Sequence, residues 1–63
     1  MVILTKLSGQ PFALNCDMME SITENPDTTI LLSNGKIYIV AESMADVIAK
    51  ITDYKQRLLQ KTN

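Results

Sequence analysis

Short apolar runs separated by turn-forming residues dominate the first two thirds of the chain. The run at residues 2–7 is rich in β-branched and aliphatic side chains, and it ends at Ser8 and Gly9, which favour a tight turn. Pro11 lacks a backbone donor, which is typical of a strand edge, so residues 12–14 are predicted to form a second strand. The pattern therefore predicts an antiparallel hairpin at the start of the chain.

The next segment is less regular. Asn15 and Asp17 have side chains that bond to nearby backbone groups, which favours a turn or a single helical turn. Residues 20–25 fit either the tail of that helix or a third strand, and we favour the strand. The sequence alone leaves residues 16–25 open between helix and strand.

The strongest local signal is the dipeptide Asn34-Gly35 between two β-rich runs at residues 28–33 and 36–41. This dipeptide predicts a hairpin with a two-residue type I′ turn, because both central positions of that turn need a positive φ. The turn would fix the register of the two strands. It predicts one face made of Ile30, Leu32, Ile37 and Ile39, and an opposite face made of Thr29, Leu31, Tyr38 and Val40.

Helical spacing of apolar residues begins after the second hairpin. Ser43 and Asp46 resemble a capping box, and they predict a helix from Met44 to about Lys61. Such a helix would be roughly 27 Å long, so its last turns should extend beyond the strands. The chain is thus predicted to be one α+β domain, residues 1–63, with a small curved antiparallel sheet of four to five strands followed by one long C-terminal helix. Its apolar stripe comprises Met44, Val47, Ile48, Ile51, Tyr54 and Leu58.

The chain is small for an independently stable domain. Its 63 residues contain one cysteine and no histidine, which excludes an internal disulfide and the usual structural metal sites. Oligomerisation is the remaining common way to stabilise so small a chain, so we expect a homo-oligomer. No cofactor or metal ligand set is predicted.

A predicted hairpin with two apolar faces suggests where other chains bind. One helix covers only one face of a sheet, and the other face, together with the end of the helix, would need a partner. A sheet that curls into a small barrel is the alternative, since it would bury the same side chains within one chain. The protein-interface candidates are Leu31, Tyr38, Val40, Tyr54, Leu58 and Leu59.

Several function classes are disfavoured by composition. Cys16 has no histidine to serve as its base, and Glu20, Glu24 and Asp27 do not follow the EF-hand spacing, so we expect no enzyme activity. A net charge of −1 gives no basic surface for nucleic acid. A small nucleic-acid-binding regulator is kept as the alternative function. Apolar stretches too short to cross a bilayer, and no signal-peptide pattern, predict a cytoplasmic location.

The order of motifs along the chain is more distinctive than any one of them. The motifs are Ile3 and Leu7-Ser8-Gly9 with Phe12, Leu14 and Asn15; Ile22 and Pro26-Asp27-Thr28 with Ile30, Leu32 and Asn34-Gly35-Lys36; and Val40 and Glu42-Ser43 leading to Val47-Ile48 and Tyr54-Lys55. In this order and at this length the chain resembles the short flagellar FlbD family, which includes swarming motility proteins of the SwrD type.

The resemblance implies a role in flagellar motility. It implies that the chain supports swarming by increasing motor power, through contact with flagellar motor or stator proteins. It also implies a position near the flagellar motor, with proximity to the membrane only through those partners.

Overall fold

A computed structural model describes residues 1–60 of the chain. The predicted end of the helix at Lys61 lies outside the described residues. The order of elements is a two-stranded hairpin, a short 3-10 turn, three further strands and one helix. Their bounds are β1 Val2–Thr5, β2 Pro11–Leu14, a 3-10 turn at Cys16–Met18, β3 Met19–Glu24, β4 Thr28–Leu32, β5 Ile37–Val40 and α1 Met44–Gln60.

Between β1 and β2 the chain turns through a three-residue loop, residues 7–9, which is closed by Lys6 and Gln10. The backbone N–H of Lys6 donates to the carbonyl of Gln10 at 2.9 Å, and that of Gly9 donates to the carbonyl of Lys6 at 2.8 Å. Hydrogen-bonded and non-bonded pairs alternate along antiparallel strands, so Thr5 and Pro11 form a non-bonded pair. The missing donor of the proline therefore costs β1 no hydrogen bond, and the predicted hairpin is confirmed.

The loop between β4 and β5 has the same geometry. Leu32 N–H donates to the carbonyl of Lys36 at 2.8 Å, and Gly35 N–H donates to the carbonyl of Leu32 at 2.9 Å. Gly35 has a φ of +88°, whereas no non-glycine residue in the described part of the chain has a positive φ. Asn34 is therefore outside the conformation that a type I′ turn requires. The predicted two-residue turn is wrong, and the loop is a three-residue turn with a glycine bulge.

The longer loop shifts the pairing of β4 and β5 by one residue. Leu31 pairs with Ile37 and Ile30 pairs with Tyr38. Because side chains alternate, a shift of one residue moves every side chain of a strand to the opposite face. The predicted faces of β5 are therefore wrong: Tyr38 and Val40 share a face with Ile30.

The segment that the sequence left open contains both alternatives in succession. Asn15 Oδ1 accepts from the backbone N–H of Asp17 at 3.0 Å, and Met18 N–H donates to the carbonyl of Asn15 at 3.1 Å. These bonds form the short 3-10 turn, and β3 begins at Met19 directly after it. The favoured third strand is confirmed.

The strands form two sheets and not one. One sheet has the order β1-β2 and the other the order β3-β4-β5. The 3-10 turn redirects the chain between β2 and β3, so these consecutive strands belong to different sheets. The sheets meet at a bridge between Lys6 and Val40, beside which Ala41 N–H donates to the carbonyl of Thr5 at 2.8 Å. The α+β class is confirmed, but the single sheet of four to five strands is wrong.

The helix α1 begins where the capping residues predict. Ser43 Oγ accepts from the backbone N–H of Asp46 at 3.1 Å, and Glu24 Oε1 accepts from that of Met44 at 2.9 Å. Both acceptors satisfy N–H groups that have no partner within the helix. Because Glu24 belongs to β3, its bond also ties the start of the helix to the larger sheet.

The helix and the two sheets enclose one hydrophobic core. α1 packs mainly on β1 and β3, and Val47 is its fully buried residue. Ile51 and Tyr54 continue the same stripe and are half-buried against the core. The buried apolar residues are Val2, Leu4, Leu14, Cys16, Ile30, Leu32, Val40 and Val47.

Candidate protein-interaction surface

The larger sheet has one uncovered apolar face. Leu31 is half-buried there, and Ile37 and Ile39 are 61% and 46% exposed. Leu31 and Ile37 are directly paired, and Ile39 follows on the same side of β5. We call these three residues the outer sheet face. It is a continuous apolar surface held on a hydrogen-bonded strand pair.

Polar side chains border this face on the far side. Ser21 and Thr23 of β3 pair with Leu31 and Thr29 of β4, so they project to the same side of the sheet. A hydrophobic centre beside a polar rim is the usual anatomy of a protein-binding surface. The hydroxyl groups of this rim can form hydrogen bonds with a bound partner. In the absence of a partner they stay in contact with water.

The exposure of two isoleucines reduces the hydrophobic contribution to the folding stability of a chain of this size. Fully burying one such side chain contributes about 1.5–3 kcal/mol relative to leaving it in water. Total stability at about 0.05–0.15 kcal/mol per residue is only about 3–9 kcal/mol for a chain of this length. Because the two side chains are each about half exposed, the fold leaves unused roughly 1.5–3 kcal/mol in all, which is a sizeable fraction of that stability.

Tyr38 and Val40, two of the predicted interface residues, lie on the covered side of β5. Val40 is 1% exposed. The ring of Tyr38 packs against that of Phe12, with 5.3 Å between centroids, and Lys6 Nζ lies 5.8 Å from the centroid of Phe12. This aromatic pair joins the two sheets. The reason for proposing an interface role, an uncovered position, does not apply to Tyr38 and Val40.

The candidates on α1 occupy different surroundings. Tyr54 is half-buried against the core. Leu58 and Leu59 are exposed near the end of the helix, Leu59 to 74%, which agrees with the expectation that the last turns extend beyond the strands. The structure does not bring these residues together with Leu31, which lies on the outer sheet face. Whether any of them contacts another protein stays a prediction.

The sequence interpretation missed Ile37 and Ile39. Both faces of β5 are apolar, so hydrophobic alternation along the strand cannot tell which face is covered. The usable signal is glycine at the third loop position in both hairpins, Gly9 and Gly35. Interpreting residues 33–35 as a three-residue loop gives the observed register and places these two isoleucines outside.

A carboxylate holds the junction between the sheets. Glu42 Oε1 accepts from the backbone N–H of Thr5 at 3.0 Å, and its Oε2 accepts from Thr5 Oγ1 at 2.9 Å. Partial burial acts to raise the pKa of Glu42, but the hydrogen bonds from Thr5 and the charge of Lys50 outweigh burial and lower it. The residue is ionised at neutral pH, and it fixes the edge of β1 against the segment before the helix.

The described residues offer little other chemistry. Among residues 1–60 no group of three or more metal-ligating side chains lies close enough to hold an ion. Cys16 is a buried free thiol. The helix α1 is not long and apolar enough to cross a membrane.

These features define a class: a small α+β protein with two antiparallel sheets, one C-terminal helix and an exposed apolar sheet face. A family model for flagellar and swarming motility proteins, FlbD, matches residues 1–59. The chain belongs to the FlbD family, as the order of its motifs indicates, and the family implies a role in flagellar or swarming motility. Searches of curated proteins and of solved structures found no match.

Proposed function

We propose that the chain supports flagellar motility by binding proteins of the flagellar motor, and that the outer sheet face is the surface that binds them. The motility role comes from the family. The binding surface is supported by one observation: Ile37 and Ile39 remain exposed on a folded sheet beside Leu31. The SwrD resemblance directs the proposal to the stator units and to motor power. Non-enzymatic action at a cytoplasmic location is part of the same proposal.

Self-association is a second use of this face. A two-fold pair of chains that buried the outer sheet face of each would remove four isoleucine side chains from water, two per chain. In this proposal the homo-oligomer depends on Ile37 and Ile39 and not on Tyr38 and Val40, which lie on the covered side of β5. Sedimentation velocity at micromolar concentration tests it. A species larger than the monomer for the wild type, and a monomer for Ile39→Ser, is expected.

Nothing in the structure favours the nucleic-acid-binding alternative. Two cationic side chains of α1 are paired with carboxylates: Arg57 Nε lies 3.1 Å from Asp53 Oδ2, and Lys55 Nζ lies 3.7 Å from Asp17 Oδ1. Binding to the phosphate backbone requires unpaired cations on one face.

Genetic complementation tests the proposed function. A deletion strain is complemented with the wild type, with Ile37→Ser/Ile39→Ser, or with Ile48→Ser, which removes a similarly exposed isoleucine from α1. We expect the isoleucine variant to lose swarming and to lower the torque of tethered cells while filament number is unchanged. The Ile48→Ser variant should restore both. Normal torque in the isoleucine variant, at wild-type protein levels, would contradict the proposal.

A further inference from the structure

Among residues 1–60, the edge of β1 that faces away from β2 has hydrogen-bond partners at one end and none at the other. Lys6 and Gln10 are hydrogen-bonded, and bonded and non-bonded pairs alternate along β1 and β2. The backbone N–H and C=O groups of Thr5 and Ile3 therefore point away from β2. The Thr5 groups are both used, one by Ala41 N–H and the other by the Glu42 carboxylate. Within the described part of the chain, Ile3 has no partner across this edge. One N–H donor and one C=O acceptor of β1 are therefore available to another strand.

The chain itself shows how this edge is used. At Thr5, the segment that follows β5 bends past β1, where Ala41 gives an N–H donor and the Glu42 side chain gives an anionic acceptor. An extended segment next to Ile3 would occupy the part of the same edge that lies toward Met1. The neighbouring backbone position is therefore already suited in geometry to strand addition.

A groove runs along this open edge between β1 and α1. Its volume is about 290 Å³, and it is lined by Met1, Val2, Ile3, Lys50, Asp53, Tyr54 and Arg57. Such a volume is at the lower limit of small-molecule pockets, which hold about 300–1,000 Å³. An open groove of this kind, flanked by a strand edge, is suited to a few side chains of an extended peptide.

The charges of the groove favour an acidic segment. Arg57 is paired with Asp53 at 3.1 Å, which leaves that ion pair close to neutral. Lys50 then gives the lining a net positive charge, in a chain whose overall charge is −1. Met1, Ile3 and Tyr54 supply apolar contacts, with Ile3 56% exposed.

We propose that this groove binds an extended segment of a partner protein as an added strand on β1, with apolar side chains toward Ile3 and Tyr54 and an acidic side chain toward Lys50. Main-chain hydrogen bonds to Ile3 give affinity in such complexes, and alternate side chains give specificity. The groove shares no residue with the outer sheet face, so this inference goes beyond the proposed function and stands or fails separately from it.

Titration with a synthetic peptide tests the inference. The probe is a capped hexapeptide of alternating valine and threonine with a glutamate at each end, added to the full chain up to about 2 mM while amide NMR shifts are recorded. We expect saturable shifts at Ile3, Lys50 and Tyr54 and none at Ile39. A probe with lysines in place of the glutamates should bind at least about tenfold more weakly.

A matched pair of proline variants isolates the edge. Ile3→Pro removes the outward N–H of β1, and Ala13→Pro removes the corresponding outward N–H of β2 in the same non-bonded pair. We expect Ile3→Pro to weaken peptide binding at least about tenfold and Ala13→Pro to leave it unchanged. Equal affinities for the two variants, or no shifts with the wild type, would overturn the proposal.

A charge reversal provides a second test should Ile3→Pro fail to fold. Lys50→Glu is expected to exchange the preference, so that the lysine-ended peptide binds more tightly than the glutamate-ended one. Lys36→Glu, at the exposed end of the second hairpin, is the control and should keep the original preference. An unchanged preference in Lys50→Glu would reject the acidic segment, and dimerisation that Ile3→Pro abolishes would identify a second copy as the occupant.

Discussion

Substitution of two neighbouring residues of β5 tests the observed register. Val40 is 1% exposed and Ile39 is 46% exposed. Val40→Ala removes two buried methyl groups, at about 0.8 kcal/mol for each buried carbon, and leaves a cavity, so we expect a loss of about 2–3 kcal/mol. Ile39→Ala removes more atoms but from a partly exposed site, and should cost less than about 1 kcal/mol.

Urea unfolding followed by circular dichroism measures both values. A loss of about 2–3 kcal/mol is a large share of the roughly 3–9 kcal/mol available to a chain of this size, so the midpoint of Val40→Ala should fall clearly below that of Ile39→Ala. The slope with denaturant should be the same for both variants and the wild type, because the surface exposed on unfolding barely changes. A larger loss for Ile39→Ala would refute the assignment of the faces and restore the two-residue turn.

Three further predictions concern local contacts. The pKa of Glu42 is lowered from 4.5 in the folded chain, so its contribution to stability is present above about pH 4.5 and is lost as the pH falls through the folded pKa. The stability difference between wild type and Glu42→Gln in thermal unfolding should therefore shrink between about pH 7 and pH 3. A constant difference would contradict the role of Thr5. Ser43→Ala removes the cap on Asp46 N–H and should cost about 1 kcal/mol in urea unfolding, whereas no loss would indicate that Glu24 alone caps α1. Gly35→Ala should cost about 1–2 kcal/mol because an L side chain is strained at a φ of +88°, although an added Cβ meets no atom within 4 Å; a neutral effect would contradict the glycine bulge.

Local chemistry explains which parts of the fold the sequence predicts. Apolar runs bounded by turn residues locate the strands, and Ser43 before a stripe of helical period locates the start of α1, because each signal depends only on neighbouring residues. β4 begins at the predicted residue, and its end and both ends of β5 differ from the predicted positions by one residue. Prediction from sequence is reliable here wherever the deciding interaction lies within the same segment.

The register of the second hairpin depends on a distant contact. Asn34-Gly35 is compatible with a two-residue or a three-residue loop, and all four residues of β5 are apolar. The choice is made by packing: Tyr38 reaches Phe12 of the other sheet, and Val40 bridges to Lys6. Neither contact is visible in the local pattern, so two of the predicted interface residues proved to be on the covered side.

The division into two sheets has a similar origin. Consecutive strands usually pair, which favours one sheet, but the 3-10 turn after Asn15 separates β2 from β3. The groove beside β1 was equally hidden from the sequence, because Ile3 and Lys50 are far apart along the chain. The position of Gly35 in its loop is a sequence signal for the outer sheet face, whereas nothing in the local pattern indicates the groove, which arises from tertiary packing.

Site-directed photocrosslinking in motile cells tests most directly whether the outer sheet face binds other proteins. A photoreactive residue is placed at Ile39, and separately at Gln56, which is exposed on α1, and crosslinked products are identified by mass spectrometry. We expect position 39 to give products with a flagellar motor protein or with a second copy of the chain, and position 56 to give none. Equal yields at the two positions, or no product at position 39, would contradict it.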